Sequence, residues 1–129
     1  MKLNTLMVIN AILAVVFGLA FVLAPTATGT LYGVGVTPQD PVSKYLAQLL
    51  GAAFIGVVVV TWMARKAAAS DALRAIVLAY FISNSIAFIV ALIAQLAGVV
   101  NALGWFSVAI YLLLALGYAY FQFVKPSAS

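Results

Sequence analysis

Residues 72–97 read ALRAIVLAYFISNSIAFIVALIAQLA, a stretch of 26 residues in which Arg74 is the only charged side chain. As a helix it would be about 39 Å long, which exceeds the roughly 30 Å of hydrocarbon in a bilayer. A strand of a membrane barrel would be about ten residues long and would alternate apolar and polar side chains. This stretch therefore predicts a membrane-spanning helix.

Three further apolar segments, at about 3–24, 42–64 and 102–123, are also long enough to span. Hydrophobic residues make up 67% of the 129, against about 45–50% in soluble domains. We expect an all-α fold, a membrane-spanning four-helix bundle that forms one integral membrane domain over 1–129, with an outer loop at 25–41. This loop could form a short helix in the headgroups or an ordered cover over the bundle. The first segment is longer than the roughly 7–15 apolar residues of a signal peptide, so we expect a retained helix.

Residues at the segment boundaries have the chemistry of helix ends. Pro25 would stop the first helix, and in Asp40-Pro41 a capping carboxylate precedes a proline at the first helical position. Ser70 can cap the third spanning helix, Gly98 can adopt the left-handed conformation that closes it, and Asn101 can cap the fourth. Few residues separate these last two helices, which predicts a tight antiparallel hairpin.

The basic residues predict the orientation of the bundle. Of the six Lys and Arg residues, only Lys44 falls on the side opposite the two termini. Cytoplasmic segments of membrane proteins carry the excess of Lys and Arg, so we expect both termini in the cytoplasm. The five residues on that side are Lys2, Arg65, Lys66, Arg74 and Lys125. Four aromatic residues there predict an interfacial belt: Trp62, Tyr118, Tyr120 and Phe123.

The chain lacks several reactive side chains, and their absence excludes several classes of function. It has no histidine, cysteine or glutamate, and its two acidic residues, Asp40 and Asp71, stand at predicted helix starts. The chain therefore lacks the side chains needed for a zinc site, a bis-histidine haem, a thiol–disulfide relay or a nucleophilic dyad. The six basic residues form no stripe that could neutralise phosphates. We expect no enzyme activity, no metal or cofactor, and no nucleic-acid partner.

The most polar feature of the predicted bundle is Ser83-Asn84-Ser85. Asn84 lies about 18 Å from the start of its helix, near the bilayer midplane, where lipid offers no hydrogen-bond partner. It can join helices, with Asn10 as one partner, or it can line a site for a ligand or ion. We prefer the first interpretation and leave the second open. Under the second, the ligand-binding residues would be Asn84, Ser83, Ser85, Asn10, Gln48 and Tyr32.

Other residues with a predicted role in packing recur at helical spacing. They are Ala11, Ala14 and Gly18 on the first segment, Ala47, Gly51, Ala52 and Gly56 on the second, and Ala87 and Ala91 on the third. Small residues let helix backbones approach closely, so we expect packing within the bundle, with a homo-oligomer contact or a lipid or pigment groove as the alternative. Gln48 and Gln95 could form a second polar level near the outer side, and the sequence does not indicate whether they face each other.

Short motifs along the chain match a group of small membrane proteins. They are Ala24-Pro25, Leu31-Tyr32-Gly33, Gly51-Ala52, Trp62-Met63-Ala64-Arg65 and a run that includes Gly98, Asn101, Gly104 and Trp105. With these motifs the chain resembles, over nearly its whole length, the DoxX-like or domain-of-unknown-function group of prokaryotes. The resemblance implies a four-helix bundle in a bacterial or archaeal cytoplasmic membrane and no catalytic residues. The better-studied DoxX proteins are associated with quinone-linked sulfur oxidation, but no redox site is matched here.

Three functions are compatible with this pattern. We expect a non-catalytic membrane protein, an accessory or scaffold subunit that packs against other membrane components, with the lipid bilayer, other subunits or a second copy as partners. The alternative is binding or transport of a small neutral or hydrophobic molecule, such as a quinone or lipid, in an interhelical pocket near Asn84 covered by the Tyr32 loop. An oligomeric channel is less favoured because no helix has a continuous polar face.

Overall fold

The computed structural model describes residues 2–33 and 41–124. Over these residues the chain forms five α-helices and no strand: α1 (Leu3–Leu23), α2 (Pro25–Leu31), α3 (Pro41–Ala64), α4 (Asp71–Leu96) and α5 (Gly104–Ala119). A π-helical turn, Tyr120–Val124, extends α5. Four helices, counting α5 with this extension, are long and apolar enough to cross a membrane. The all-α prediction and the four long apolar segments are confirmed, with boundaries that agree to within two residues.

The predicted outer loop is helical in its first part. Pro25 ends α1 as expected, but it also occupies the first position of α2, where a proline loses no hydrogen bond. Two threonines then bond within the helix: the Thr28 hydroxyl donates to the Ala24 carbonyl at 2.7 Å and the Thr30 hydroxyl to the Thr26 carbonyl at 3.0 Å. These bonds satisfy side chains that would otherwise favour a turn, so the segment closes as a short helix.

The helix ends follow the predicted chemistry. The Ser70 hydroxyl accepts a hydrogen bond from the Leu73 amide at 3.1 Å and caps α4. At its other end Gly98 has φ of +76° and donates to the Gln95 carbonyl, while the Val99 amide donates to the Ala94 carbonyl, the two bonds of a Schellman motif. Asn101 caps the turn before α5, since its side-chain oxygen accepts from the Leu103 amide at 3.0 Å. The predicted cap Asp40 lies outside the described residues.

The long helices form two antiparallel pairs. α1 packs along α3 and α4 packs along α5, whereas contacts between the pairs are sparse, and the largest of these joins α1 to α5. The first pair is close because glycines face each other: a methyl group at Gly51 would lie 2.8 Å from the Gly18 carbonyl oxygen. The predicted small-residue packing is confirmed at Gly18 and Gly51, but Ala52 and Gly56 are exposed. The predicted α4–α5 hairpin is confirmed.

The main cluster of buried hydrophobic residues lies at one end of the bundle. We call this the basal end: α1 and α4 begin there, and α3 and the extension of α5 finish there. Tyr118 is fully buried in this core, so its predicted place in an interfacial belt is wrong. The buried members of the core are Leu6, Met7, Ala64, Leu73, Val77, Leu114, Tyr118 and Phe121. The two helix pairs are therefore held together chiefly at the basal end.

Candidate functional site

A cavity of about 470 Å³ lies between the two helix pairs, beyond the basal core. All five helices contribute to its wall, and none of the described residues that line it carries a charge. Its volume falls within the roughly 300–1,000 Å³ typical of small-molecule sites. The aromatic residues of the wall are Phe17, Phe21, Tyr32, Phe54, Tyr80 and Tyr111, and the polar ones, apart from these tyrosines, are Asn10, Thr28, Ser83, Asn84 and Ser107.

A polar contact closes the cavity on the basal side. The side-chain amide of Asn10, on α1, donates a hydrogen bond to the Tyr118 hydroxyl, on α5, at 2.8 Å. The ring of Tyr118 packs against that of Tyr80, with centroids 5.4 Å apart. This contact joins the two helix pairs where core and cavity meet, and it places the carboxamide of Asn10 in the cavity wall.

Asn84 reaches the cavity from α4. Its side-chain amide donates to the Tyr80 carbonyl of its own helix at 2.7 Å, and within residues 2–33 and 41–124 it makes no bond to another helix. The neighbouring Ser83 hydroxyl donates weakly to the same carbonyl at 3.5 Å. Asn84 is buried and lines the cavity. Its side-chain amide therefore belongs to the cavity wall, with the nitrogen bonded to the backbone of α4.

The far end of the cavity is covered by α2. The Tyr32 hydroxyl lies 3.1 Å from the Ser107 hydroxyl of α5, within hydrogen-bond distance. Asn101 secures the end of α2 twice, because its side-chain amide donates to the Leu31 carbonyl at 2.9 Å and its backbone amide to the Tyr32 carbonyl at 2.9 Å. The segment that includes Tyr32 thus forms an ordered cover over the cavity. An ordered cover is one of the forms expected for the outer loop.

The side of the cavity opens between α3 and α4. Leu50 and Ala53 of α3 and Ser83 of α4 line the cavity and are also exposed on the outside of the protein. The backbones of these two helices make at most marginal contact. Because the three residues lie midway along their helices, the opening is lateral and faces whatever medium surrounds the middle of the bundle.

The structure brings four of the six predicted binding residues together at the cavity. Asn84, Ser83, Asn10 and Tyr32 line it, whereas Ser85 and Gln48 do not. The Ser85 hydroxyl donates to the Phe81 carbonyl of its own helix at 2.7 Å, and the Gln48 amide donates to the Val22 carbonyl of α1 at 3.2 Å. These two side chains serve helix structure and helix packing.

The structure forms neither of two polar pairings that the sequence allowed. Asn84 does not bond to Asn10, and their carboxamide nitrogens donate instead to the Tyr80 carbonyl and the Tyr118 hydroxyl, respectively. Gln95 does not pair with Gln48 and instead donates to the Asn101 carbonyl at 3.1 Å. The predicted second polar level is therefore two separate backbone contacts.

The sequence prediction missed several residues of the site. Tyr111 and Ser107 line the cavity from α5, and Tyr118 orients Asn10. Ser107 and Tyr111 are four positions apart and so share a helix face, but serine also serves ordinary packing between membrane helices, so this spacing does not single out a cavity. Among the described residues no group of three acidic, histidine or cysteine side chains could hold a metal ion.

The fold and site together define an all-α protein whose four long apolar helices enclose an uncharged, laterally open cavity. The chain belongs to the family described as Domain of unknown function (DUF8292), whose model matches residues 8–127. Comparisons with curated proteins and with solved structures found no match. The family match confirms the domain-of-unknown-function part of the resemblance and does not confirm the likeness to DoxX proteins.

Proposed function

We propose that the protein is an integral membrane protein that binds a small uncharged hydrophobic molecule in the cavity between its helix pairs. The lining carries this proposal, because aromatic and aliphatic side chains with a few uncharged polar groups surround about 470 Å³. An ion would lose its hydration there without gaining a charged partner. An apolar molecule gains dispersion contacts with the wall, and a quinone or a lipid would both meet this condition.

The outer surface of the bundle supports insertion into a membrane. Only 11% of the residues in the most apolar stretch of α3, and the same share in α4, are buried inside the protein. Exposed apolar patches of more than a few hundred Å² are rare in soluble monomers, whereas lipid tails accept such a surface without penalty. We propose a prokaryotic cytoplasmic membrane, as the resemblance implies.

Both termini are proposed to face the cytoplasm. Lys2, Arg65, Lys66 and Arg74 lie at or near the basal end, and Lys44 lies at the opposite end, near the start of α3. The fifth predicted residue of the basic side, Lys125, lies outside the described residues. The Arg65 guanidinium stacks over the Trp62 ring at 3.8 Å, an arrangement suited to a headgroup region.

The lateral opening gives the proposed ligand a route. Leu50, Ala53 and Ser83 border the opening halfway along α3 and α4, at the depth of the hydrocarbon in an inserted bundle. The ends of the cavity are less accessible, because α2 covers one and the basal core closes the other. A molecule dissolved in the bilayer would therefore reach the cavity without crossing an aqueous phase.

A cavity-filling variant tests the proposal. Ala87 lines the cavity, so Ala87→Phe should fill it, whereas Ala79→Phe adds the same ring on the exposed face of the same helix. Each protein is purified in lipid nanodiscs, extracted with organic solvent and analysed by mass spectrometry. We expect the wild type and Ala79→Phe to retain a neutral molecule in near-stoichiometric amount and Ala87→Phe to lose it. Identical extracts from all three would overturn the proposal.

The same purification separates ligand binding from the accessory-subunit hypothesis. A stoichiometric partner protein that remains bound to wild type and to Ala87→Phe alike, with no retained small molecule, would favour an accessory or scaffold role. We prefer ligand binding because the cavity is a defined space with a lining suited to an apolar molecule.

A further inference from the structure

We infer that the cavity recognises a hydrogen-bond donor, so that its ligand is an uncharged, bilayer-soluble molecule with a hydroxyl or N–H group. This inference rests on the proposed function and adds the chemical class of the ligand. Its basis is a pair of asparagines, Asn10 and Asn84, which line the same cavity from different helix pairs. They are only 5% and 8% exposed, respectively.

The side-chain amides of the two asparagines make the same kind of hydrogen bond. The nitrogen of Asn10 donates to the Tyr118 hydroxyl at 2.8 Å, and the nitrogen of Asn84 donates to the Tyr80 carbonyl at 2.7 Å. One N–H group of each carboxamide is thereby held by the protein itself. Neither carboxamide oxygen accepts a hydrogen bond from any residue of the described ranges 2–33 and 41–124. Each asparagine thus presents a free acceptor.

The free oxygens have open space beside them. In the described part of the chain, the one fully enclosed side-chain polar atom without a partner is Oε1 of Gln95, a residue that does not line the cavity. The oxygens of Asn10 and Asn84 are therefore not enclosed, and the space that these two residues share is the cavity. Buried polar groups in proteins nearly always have a partner, and in lipid there is no bulk water to supply one. A bound molecule can supply it.

The surroundings of these oxygens select among possible donors. A cation would also be attracted to carbonyl oxygens, but no carboxylate lines the cavity to offset its desolvation. A hydrocarbon, an ester or a ketone leaves both oxygens unpaired. A hydroxyl or N–H group on an apolar body satisfies an oxygen and fills the aromatic wall at the same time. An alcohol or an amide can therefore pair with these oxygens, which an acceptor-only molecule cannot do.

Matched photoreactive probes test this preference. The probes are dodecanol with a mid-chain diazirine, its methyl ether and the corresponding alkane, each incorporated into nanodiscs with the full-length protein. Labelling is quantified by mass spectrometry of the intact protein and mapped to peptides of α1 and α4. We expect cavity labelling by the alcohol to exceed that by the ether about five-fold, which corresponds to about 1 kcal/mol for one hydrogen bond.

Three variants identify the acceptors. Asn10→Leu and Asn84→Leu keep the side-chain size and remove the oxygen, and at least one of them should reduce the alcohol-to-ether ratio to about one. Ser85→Ala is the control, because Ser85 makes the same kind of bond to its own helix, to the Phe81 carbonyl, but does not line the cavity. It should leave the ratio unchanged. The wild-type comparison of probes stands by itself if a leucine variant does not fold.

The outcomes distinguish this inference from the proposed function. If alcohol, ether and alkane label the cavity equally and Ala87→Phe abolishes all three signals, the cavity binds apolar molecules but the donor inference is wrong. If no probe labels cavity residues, or if Ala87→Phe has no effect, both statements are wrong. A preference for the alcohol that survives both leucine substitutions also overturns the inference, since the donor then pairs elsewhere.

Discussion

The side-chain nitrogen of Asn10 lies 2.8 Å from the hydroxyl of Tyr118, and this buried hydrogen bond links α1 to α5 across the junction of the two helix pairs. Backbone contacts between the pairs are sparse. A side-chain bond at this position therefore contributes more to the assembly of the pairs than it would inside either of them.

Removal of the Tyr118 hydroxyl should weaken the contact between the two helix pairs. In Tyr118→Phe the ring remains in the core while the Asn10 amide loses its acceptor, so we expect the free energy of unfolding to fall by about 1–2 kcal/mol. Unfolding by sodium dodecyl sulfate in mixed micelles, followed by circular dichroism, measures the change. The matched control is Tyr120→Phe, because that side chain is exposed. Equal effects of the two substitutions would contradict a specific role for the bond.

Replacement of two glycines of α3 by alanine should change the free energy of unfolding in opposite directions. A methyl group at Gly51 would lie 2.7 Å from a Val22 side-chain carbon and 2.8 Å from the Gly18 carbonyl, so α1 and α3 must move apart. We expect Gly51→Ala to cost about 1–3 kcal/mol. At Gly56 nothing lies within 4 Å, and Gly56→Ala should stabilise the helix by up to about 1 kcal/mol. The same unfolding assay tests both, and a stabilising Gly51→Ala would refute the close packing.

The proposed orientation can be tested by labelling single cysteines, since the chain has none of its own. Ala68 lies in the basal α3–α4 connection and Ala102 in the α4–α5 connection at the opposite end, and both are exposed. In intact bacterial cells a membrane-impermeant maleimide should label Ala102→Cys and leave Ala68→Cys unlabelled until the cells are opened. The reverse pattern would invert the proposed topology.

The cover formed by α2 should depend on Asn101. Asn101→Ala removes the side-chain bonds to the Leu31 carbonyl and the Leu103 amide, so the end of α2 should open more often. Hydrogen–deuterium exchange of the peptide that contains residues 28–33 should become several-fold faster. Asn4→Ala is a suitable control because Asn4 is exposed near the start of α1. Unchanged exchange in Asn101→Ala would show that the cover is held by other contacts.

The helices were predictable because their apolar runs are long and their ends carry local chemistry. Ser70 and Gly98 act through residues at most four positions away, so the sequence alone predicts the caps that they form. The helix α2 was only one of two possibilities for the outer loop, because its seven residues include three threonines and a glycine and have weak helix propensity. Pro25 and the threonine hydroxyls support its helicity.

The site was predictable only in part. Asn10 and Asn84 stand out because a polar side chain in an apolar helix is costly without a partner. The partners themselves depend on how each helix rotates about its axis, and α5 is apolar on nearly every face, so its sequence does not indicate that Tyr118 turns inward. The cavity depends on the sparse packing between helix pairs, which is a property of the assembled bundle.

The position of the main core cluster at the basal end also bears on how such a protein can evolve. Tyr118, Met7 and Val77 are fully buried there, whereas Ala87 and Phe54 at the cavity are only partly buried. Substitutions in the wall are thus expected to disturb folding less than substitutions in the base. One half of the bundle can conserve the fold while the other diversifies its specificity.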